Sequence, residues 1–326
     1  MNMPKIGIVI IGRNEGERLI RCIQSLHQHI VQAVYVDSAS TDGSLEAAKK
    51  LGAHTLALDM LKPFTAARAR NAGFAELLKL FPETEFVQFV DGDCEVLNGW
   101  LEVATTFLQN NPQIAVVSGV LNERFPDKTI YNTLCDLEWK MPIGEVKASG
   151  GNALIRVSAF KQVDGYLSTL IAGEEPEMCV RLRKKGWKIW HLANQMMLHD
   201  AEMTQFKQWW RRTMRAGYAY AEGAYLHGAA PEYHWVAESK RAWLWGFFIP
   251  LIILILAILK PVWAILLLLV YPLQWFRLSL KSQQPFKIAS LQALFLTIGK
   301  FAELAGQCKF IWHRYHHKQS QIIEYK

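Results

Sequence analysis

The chain has 326 residues, more than one ordinary domain needs, and its 36 Lys and Arg against 29 Asp and Glu leave a formal charge of +7. Lys240, Arg241, Arg277, Lys281 and Lys287 gather around apolar segments and form no aromatic-studded basic stripe, which argues against nucleic acid and for anionic lipid and positive-inside topology. Cys22, Cys94, Cys135, Cys179 and Cys308 show no CxxC or clustered Cys/His spacing, so no zinc site is expected, and they read as reduced thiols of a cytosol-facing domain.

From the amino end, Met1–Lys5 run directly into an apolar strand pattern and lack the h-region of a secretory signal, so this domain is expected to stay in the cytoplasm. Ile6–Ile11 is a β-branched run long enough for a buried strand and too short for a helix. The polar loop Gly12–Gly16 follows, and then Leu19, Ile20, Ile23 and Leu26 at helical spacing. Ala33–Val36 reads as a second strand, ending at Asp37–Gly43 before a helical pattern over Ser44–Leu51. Strand, polar loop and helix in repetition are the mark of βαβ units around a parallel sheet.

Further strands are expected at Phe86–Val90, Ile114–Gly119 and Ala153–Arg156, and Met196–Leu198 is another apolar run. The stretch Asn122–Val146 has no clear period and is read as a cover over the acceptor side. Ligands of such sheets bind at the carboxyl ends of the strands, which singles out Gly12–Gly16, Asp37–Gly43 and Asp91-Gly92-Asp93.

The composition changes after position 235. The sequence therefore predicts a catalytic domain over 1–235 and a membrane-associated region over 236–326. The apolar segments 243–259 and 262–276, separated by Lys260-Pro261, form a hairpin. At about 1.5 Å per residue each is roughly 23–26 Å long, short of a hydrocarbon core of about 30 Å. Either flanking Trp243, Trp245, Tyr271 and Trp275 sit at the interface or the hairpin is re-entrant. Positions 288–310, interrupted by Lys300, Glu303 and Lys309, suit an interfacial amphipathic helix.

Two carboxylates two residues apart after a buried strand, Asp91 and Asp93, can hold a hard divalent cation, Mg²⁺ or Mn²⁺, against substrate phosphates. His199, directly after an apolar run, is a further candidate ligand for that metal. Asp37 ends a strand where it can accept from a ribose or base, while Asp42 is expected to cap the next helix. Glu174, Glu175 and Glu177 open a helical pattern that closes on Arg181, Arg183, Lys184 and Lys185, an arrangement the helix dipole favours and one that also offers a general base. Gln208, Trp209, Trp210, Arg211 and Arg212 either contact an acceptor or diphosphate, or anchor the domain at the interface.

Taken in order, Ile10–Glu15, Val36–Gly43, Ala69–Gly73, Asp91–Asp93, Gly151–Arg156 and Gly173–Glu175 with Arg181-Leu182 resemble the motifs of the family 2 glycosyltransferases of GT-A fold, over roughly Lys5–Arg212. The resemblance implies an inverting, metal-dependent transfer from a nucleotide-diphosphate sugar. It implies that Asn14, Glu15, Asp37, Arg70, Asn71 and Asp91 hold the donor, that Asp91 and Asp93 serve the donor and its metal, and that Glu175 or Glu174 is the base. The sequence departs from the family pattern at Gly12, Ser38 and Glu175, where Pro, Asp and Asp are usual. Gln208–Arg212 is similar to the Gln-x-x-Arg-Trp motif of processive synthases but ends in Arg212.

The reaction expected is addition of one sugar to a membrane-linked acceptor, such as a polyprenyl-diphosphate glycan in exopolysaccharide synthesis, at the cytoplasmic face of the inner membrane. Other polysaccharide-assembly proteins are expected partners. The alternatives are a processive polysaccharide synthase and a non-catalytic nucleotide-sugar-binding scaffold. A nucleotidyltransferase is disfavoured because no Gly-rich N-terminal loop with basic residues is present to cradle a triphosphate.

Overall fold

The computed structural model describes residues 5–316 and 323–324. Met1–Pro4, part of the amino-terminal reading, lie outside them. The chain divides into two compact units, Met1–Thr204 and Gln205–Lys326. The division by contacts falls before Gln205, whereas the composition shifts only after 235, because the intervening helix is amphipathic and mixed in composition.

The first unit runs β1 (Ile6–Gly12), α1 (Glu17–Ser25), β2 (Ala33–Asp37), α2 (Ser44–Lys50), β3 (His54–Ala57), α3 (Ala66–Leu80), β4 (Phe86–Asp91), β5 (Cys94–Val96), α4 (Trp100–Asn110) and β6 (Ile114–Glu123). It continues with α5 (Ile130–Glu138), β7 (Gly144–Val146), β8 (Ala153–Arg156), α6 (Val157–Gln162), α7 (Glu174–Lys184) and β9 (Lys188–His199). One mixed sheet has the order β3-β2-β1-β4-β8-β6-β9-β5, with β7 paired to β9. β3, β2, β1 and β4 are mutually parallel, and β8 is antiparallel to both its neighbours.

The five strands legible in the sequence are all present, and the apolar run Met196–Leu198 falls within β9. The short β3, β5 and β7 carry no apolar run of their own and are strands because a neighbour pairs them.

Continuous apolar strands are what a sheet covered on both faces needs. Ile8 and Ile10 of β1 pack with Leu19, Ile23, Trp100 and Leu108 on one face, and Val9 and Ile11 pack with Ala67, Leu77, Met178 and Leu182 on the other. The one polar residue in Phe86–Val90, Gln88, is fully buried, and its Oε1 accepts from the Trp100 indole at 2.9 Å. Pairing a buried amide with a buried indole satisfies both.

The second unit is helical: α8 (Phe206–His227), α9 (Val236–Leu259), α10 (Pro261–Lys281) and α11 (Phe286–Tyr315). The last three are long and apolar enough to cross a membrane. α9 and α10 extend past the apolar segments into polar residues at 236–242 and 277–281, and their 24 and 21 residues make them about 36 and 32 Å long at 1.5 Å per residue. The apolar segments are the carboxyl-terminal part of α9 and the amino-terminal part of α10, so the added length is polar and lies at the open end of the hairpin.

The break is where the sequence places it. Pro261 forces Lys260 out of the helical region and restarts the chain at the first position of α10. The Tyr271 hydroxyl donates to Trp245 O at 2.7 Å and the Trp275 indole to Ser290 O at 2.9 Å, so two of the expected interface aromatics join neighbouring helices.

The amphipathic helix expected at 288–310 is the middle of the 30-residue α11, which has the length and composition of a third span. Its buried stripe holds Ala289, Ala293, Gly299, Ala302 and Gly306, and small residues at helical spacing let two backbones approach closely. A Cβ at Gly306 would overlap Met214 O and lie 2.6 Å from Tyr218 N, both on α8. Those obstacles are backbone and cannot swing aside. Gly306→Val is therefore expected to separate α8 from α11 at a cost of about 1–3 kcal/mol or more, read as a lowered melting temperature in detergent.

Candidate active site

The site grows from the carboxyl edge of β2, β1 and β4. Register places Gly12 beside Asp37 and Ile11 beside Asp91, so the loops that follow emerge level with one another. Two of these loops are stitched together. The Asn14 N–H donates to Ser40 Oγ at 2.9 Å and its Oδ1 accepts from Thr41 N at 2.7 Å.

Asp42 Oδ2 accepts from Gly16 N at 2.9 Å and its Oδ1 from Ser44 N at 3.0 Å. Burial penalises the Asp42 charge, but the Ser44 hydroxyl and the N–H groups of Ser44 and Gly16 outweigh it and hold the carboxyl below its usual range. Asp42 thus binds the first N–H of α2 from one residue before the N-cap position, which Gly43 occupies. The buried Asp37 accepts from the Tyr35 hydroxyl at 2.9 Å and from Ser40 N at 2.8 Å. Each oxygen makes one protein hydrogen bond, so Asp37 shapes the loop and still has lone pairs to offer. Glu15 pairs with Arg18 at 2.8 Å, and its Cγ lies against Gly92.

Beneath β4 lies a cluster of one cation and three acids. Arg70 Nη1 donates to Glu174 Oε1 at 2.7 Å and to Glu175 Oε1 at 2.8 Å, while Nη2 donates to Asp91 Oδ1 at 2.8 Å. Asn152 braces Asp91 from the other side, with Oδ1 accepting from Asp91 N at 2.9 Å and Nδ2 donating to Asp91 Oδ2 at 3.2 Å. Gly151 must lack a side chain, because a Cβ there would collide with the Arg70 guanidinium and lie 2.7 Å from Glu175 Oε1.

Burial opposes the charge on Arg70, but Asp91, Glu175 and Glu174 together raise its pKa well above the ordinary value. Glu175 is pushed up to about 7, by burial first and then by the adjacent Glu174, with Arg70 offsetting only part. The side chain of Glu175 is 15% exposed and that of Glu174 only 3%. Glu175 is the one of the pair a substrate can reach.

A second group forms where β5 and β9 meet. Asp93 is buried, and its Oδ1 lies 3.4 Å from His199 Nε2. Ligand atoms of Asp93, Cys94 and His199 all fall within 4.8 Å of one another, and Asp91 is not of that set. The two aspartates expected to clamp one metal thus face different neighbours, Asp91 the arginine and Asp93 the imidazole. His199 Nδ1 is buried without a hydrogen bond, while Nε2 is the ring nitrogen that faces Asp93. A carboxylate oxygen and an imidazole nitrogen are donors that fit a divalent ion of the Mn²⁺ kind.

Residues 7–163 match the family described as Glycosyl transferase family 2. These residues form a family 2 glycosyltransferase domain. A pre-mycofactocin glycosyltransferase of Mycobacterium tuberculosis is 27% identical over 236 residues, 68% of this chain and 48% of the relative. The chain therefore spans about half the length of the M. tuberculosis relatives it matches. The O-antigen chain rhamnosyltransferase RfbN of Salmonella typhimurium is 21% identical over 224 residues, 64% of this chain and 70% of the relative. Among solved structures, the mannosyltransferase PcManGT from Pyrobaculum calidifontis, in complex with GDP-Man and Mn²⁺, superposes with a TM-score of 0.59 at 17% identity, covering 96% of this chain and 89% of that one. That likeness gives the fold, GT-A.

Within the family 2 glycosyltransferase, several residues read as ligands turn out to be committed elsewhere. Asn71 donates to Tyr166 O at 2.7 Å and to Ser168 Oγ at 3.0 Å and accepts from Tyr166 N at 3.0 Å, which uses both of its donors and one of its two lone pairs. It pins the segment before α7. Arg70 is likewise engaged by carboxylates.

Gln208 Oε1 accepts from Gln205 N at 3.0 Å, completing a capping box at the start of α8. Trp209 is buried edge-on against Phe295 of α11 at 4.7 Å, inside the second unit. Neither is an open acceptor platform. Arg211 is exposed and Arg212 half-buried on the same helix.

Two residues were not legible as site residues. Asn152 sits inside a motif the sequence displays, but its contact with Asp91 needs the antiparallel pairing of β4 and β8. Glu123 falls where the sequence shows no period, and only the β6–β9 register brings it beside His199.

Proposed function

We propose that the chain is an inverting glycosyltransferase that moves a sugar from a nucleoside-diphosphate donor to a hydroxyl of a membrane-linked acceptor. The observation that supports this most is the meeting of Glu175 with Asp91 through one buried arginine, next to the Asp93–His199 pair. Asp37, Asn14 and Glu15 shape the rim where the nucleoside lies, and Asp91 faces the donor. Asp93 and His199 hold the divalent ion, which when bound supplies positive charge to the departing diphosphate. Imidazole beside carboxylate favours Mn²⁺ over Mg²⁺.

Glu175 takes the proton of the acceptor hydroxyl. The freed oxygen pair forms a bond to the anomeric carbon opposite the breaking bond to the diphosphate, and the configuration inverts. Arg70 keeps Glu175 aligned with Asp91 while that proton arrives. Arg211 and Arg212 are candidates for contact with acceptor phosphate.

The helical region suits an acceptor held in lipid. Lys240 and Arg241 begin α9 and Arg277 and Lys281 end α10, so the open end of the hairpin is basic while its tip carries only Lys260. By the positive-inside tendency that end, and the catalytic domain that precedes it in the chain, lie on the cytoplasmic side of the inner membrane. The catalytic domain is read as ending near 235, with the membrane region following. A polyprenyl-diphosphate glycan of a surface or exopolysaccharide pathway has the chemistry this placement needs.

The test is release of nucleoside diphosphate from UDP-, GDP- and dTDP-sugars with Mn²⁺ or Mg²⁺ and bacterial lipid extract. One donor is expected to react, with Mn²⁺ the better ion, and Asp93→Ala is expected to abolish most of the rate. An Asp93→Ala variant as active as the wild type would refute the assigned metal site.

A further inference from the structure

Glu123 ends β6 with its side chain wholly buried, and nothing in the reaction so far uses it. Its Oε1 accepts from Asn132 Nδ2 at 3.0 Å and from Phe125 N at 3.2 Å, and its Oε2 accepts from Ala201 N at 3.1 Å. Three N–H groups fix both oxygens in place. Oε2 also lies 3.7 Å from His199 Nδ1, the ring nitrogen that makes no hydrogen bond.

The sheet makes this arrangement rigid. His199 of β9 pairs with Glu123 of β6 on one side and with Cys94 of β5 on the other, so its ring is held between Glu123 and Asp93. Trp139 closes on the imidazole edge-on at 4.4 Å between ring centroids. A histidine that ligates a metal through one nitrogen ordinarily points the other at a carboxylate or carbonyl, which fixes the tautomer and strengthens the ligand.

We propose that Glu123 is a positioning residue that turns His199 Nδ1–H toward itself and so presents the Nε2 lone pair to a divalent ion shared with Asp93. This rests on the metal reading given above. Glutamine at 123 would keep the size of the side chain but offer an N–H to Nδ1. The ring proton would then be driven to Nε2, where it blocks ligation.

The experiment is Mn²⁺ binding to the full-length chain in detergent, followed by the electron paramagnetic resonance of free Mn²⁺, for wild type, Glu123→Gln, His199→Ala and the double variant, with melting temperatures measured alongside. Glu123→Gln is expected to weaken Mn²⁺ binding by roughly 10–100-fold in the wild type and by less than about two-fold when His199 is already alanine. An equal loss in both backgrounds would mean that Glu123 acts only through the general fold, and the proposal fails. Unchanged binding in Glu123→Gln with weakened binding in His199→Ala overturns the proposal alone. Unchanged binding in His199→Ala overturns the metal reading and the proposal with it.

Discussion

Glu175→Gln is expected to lower kcat by about 10²–10⁴-fold, the usual contribution of a general base, while donor affinity stays within a few-fold. The substitution is nearly isosteric and retains an oxygen for Arg70 Nη1, so the cluster keeps its shape and loses only the group proposed to accept the proton. The carboxyl titrates at about 7 because burial and Glu174 disfavour its charge more than Arg70 favours it. A base must be ionised to act, so kcat/KM of the wild type should rise with pH through about 7, and that limb should vanish in the variant.

The sign for stability is the reverse. The folded pKa lies above the ordinary 4.5, so this group's contribution to stability is present at low pH and lost as pH rises through about 7. Melting temperatures of wild type and variant should therefore diverge between about pH 4.5 and 7, the variant being less affected. A variant that retains kcat within a few-fold would place the base elsewhere, with Glu174 the next to test.

Arg70→Met is expected to have the largest effect on folding. The guanidinium is buried and donates to three carboxylates, and removing it leaves those acids together with no counter-charge. Breaking a buried ion pair by deleting one partner costs about 3–5 kcal/mol. For a domain near 200 residues that lowers the melting temperature by roughly 6–20 °C. Arg70→Lys should lie between, since an ammonium supplies the charge but not the planar fork that reaches Asp91 and the two glutamates at once. If Arg70→Met melted like the wild type and lost only donor binding, Arg70 would be a substrate contact, as the family motif first suggests.

The amino-acid sequence by itself determines the doubly covered sheet. Ile6–Ile11, Ala33–Val36 and Phe86–Val90 are continuous apolar runs, and such runs are stable only with helices on both faces. It also determines where the chemistry lies along the chain, because polar residues directly after a parallel strand must emerge at its carboxyl edge. The Lys260-Pro261 break is legible for the same local reason, since proline restricts the residue before it.

The start of α9 and the end of α10 are not legible from hydropathy. Helix continues through polar residues for as long as its hydrogen bonds do, and the apolar pattern reports only the part out of water. The role of each side chain is decided by tertiary structure, because it depends on partners distant in the sequence.

Arg70 and Asn71 are adjacent on α3, yet the helix turns one toward Asp91 and Glu175 and the other toward Tyr166 and Ser168. Asp91 and Asp93 read as one pair, yet the strand order separates them, giving Asp91 to the arginine and Asp93 to His199. Glu123 has no local mark at all and meets His199 only because β6 and β9 run side by side. Periodicity and turn chemistry act over a few residues and can be read locally, whereas a carboxylate's pKa, its partner and its reach are set by long-range packing.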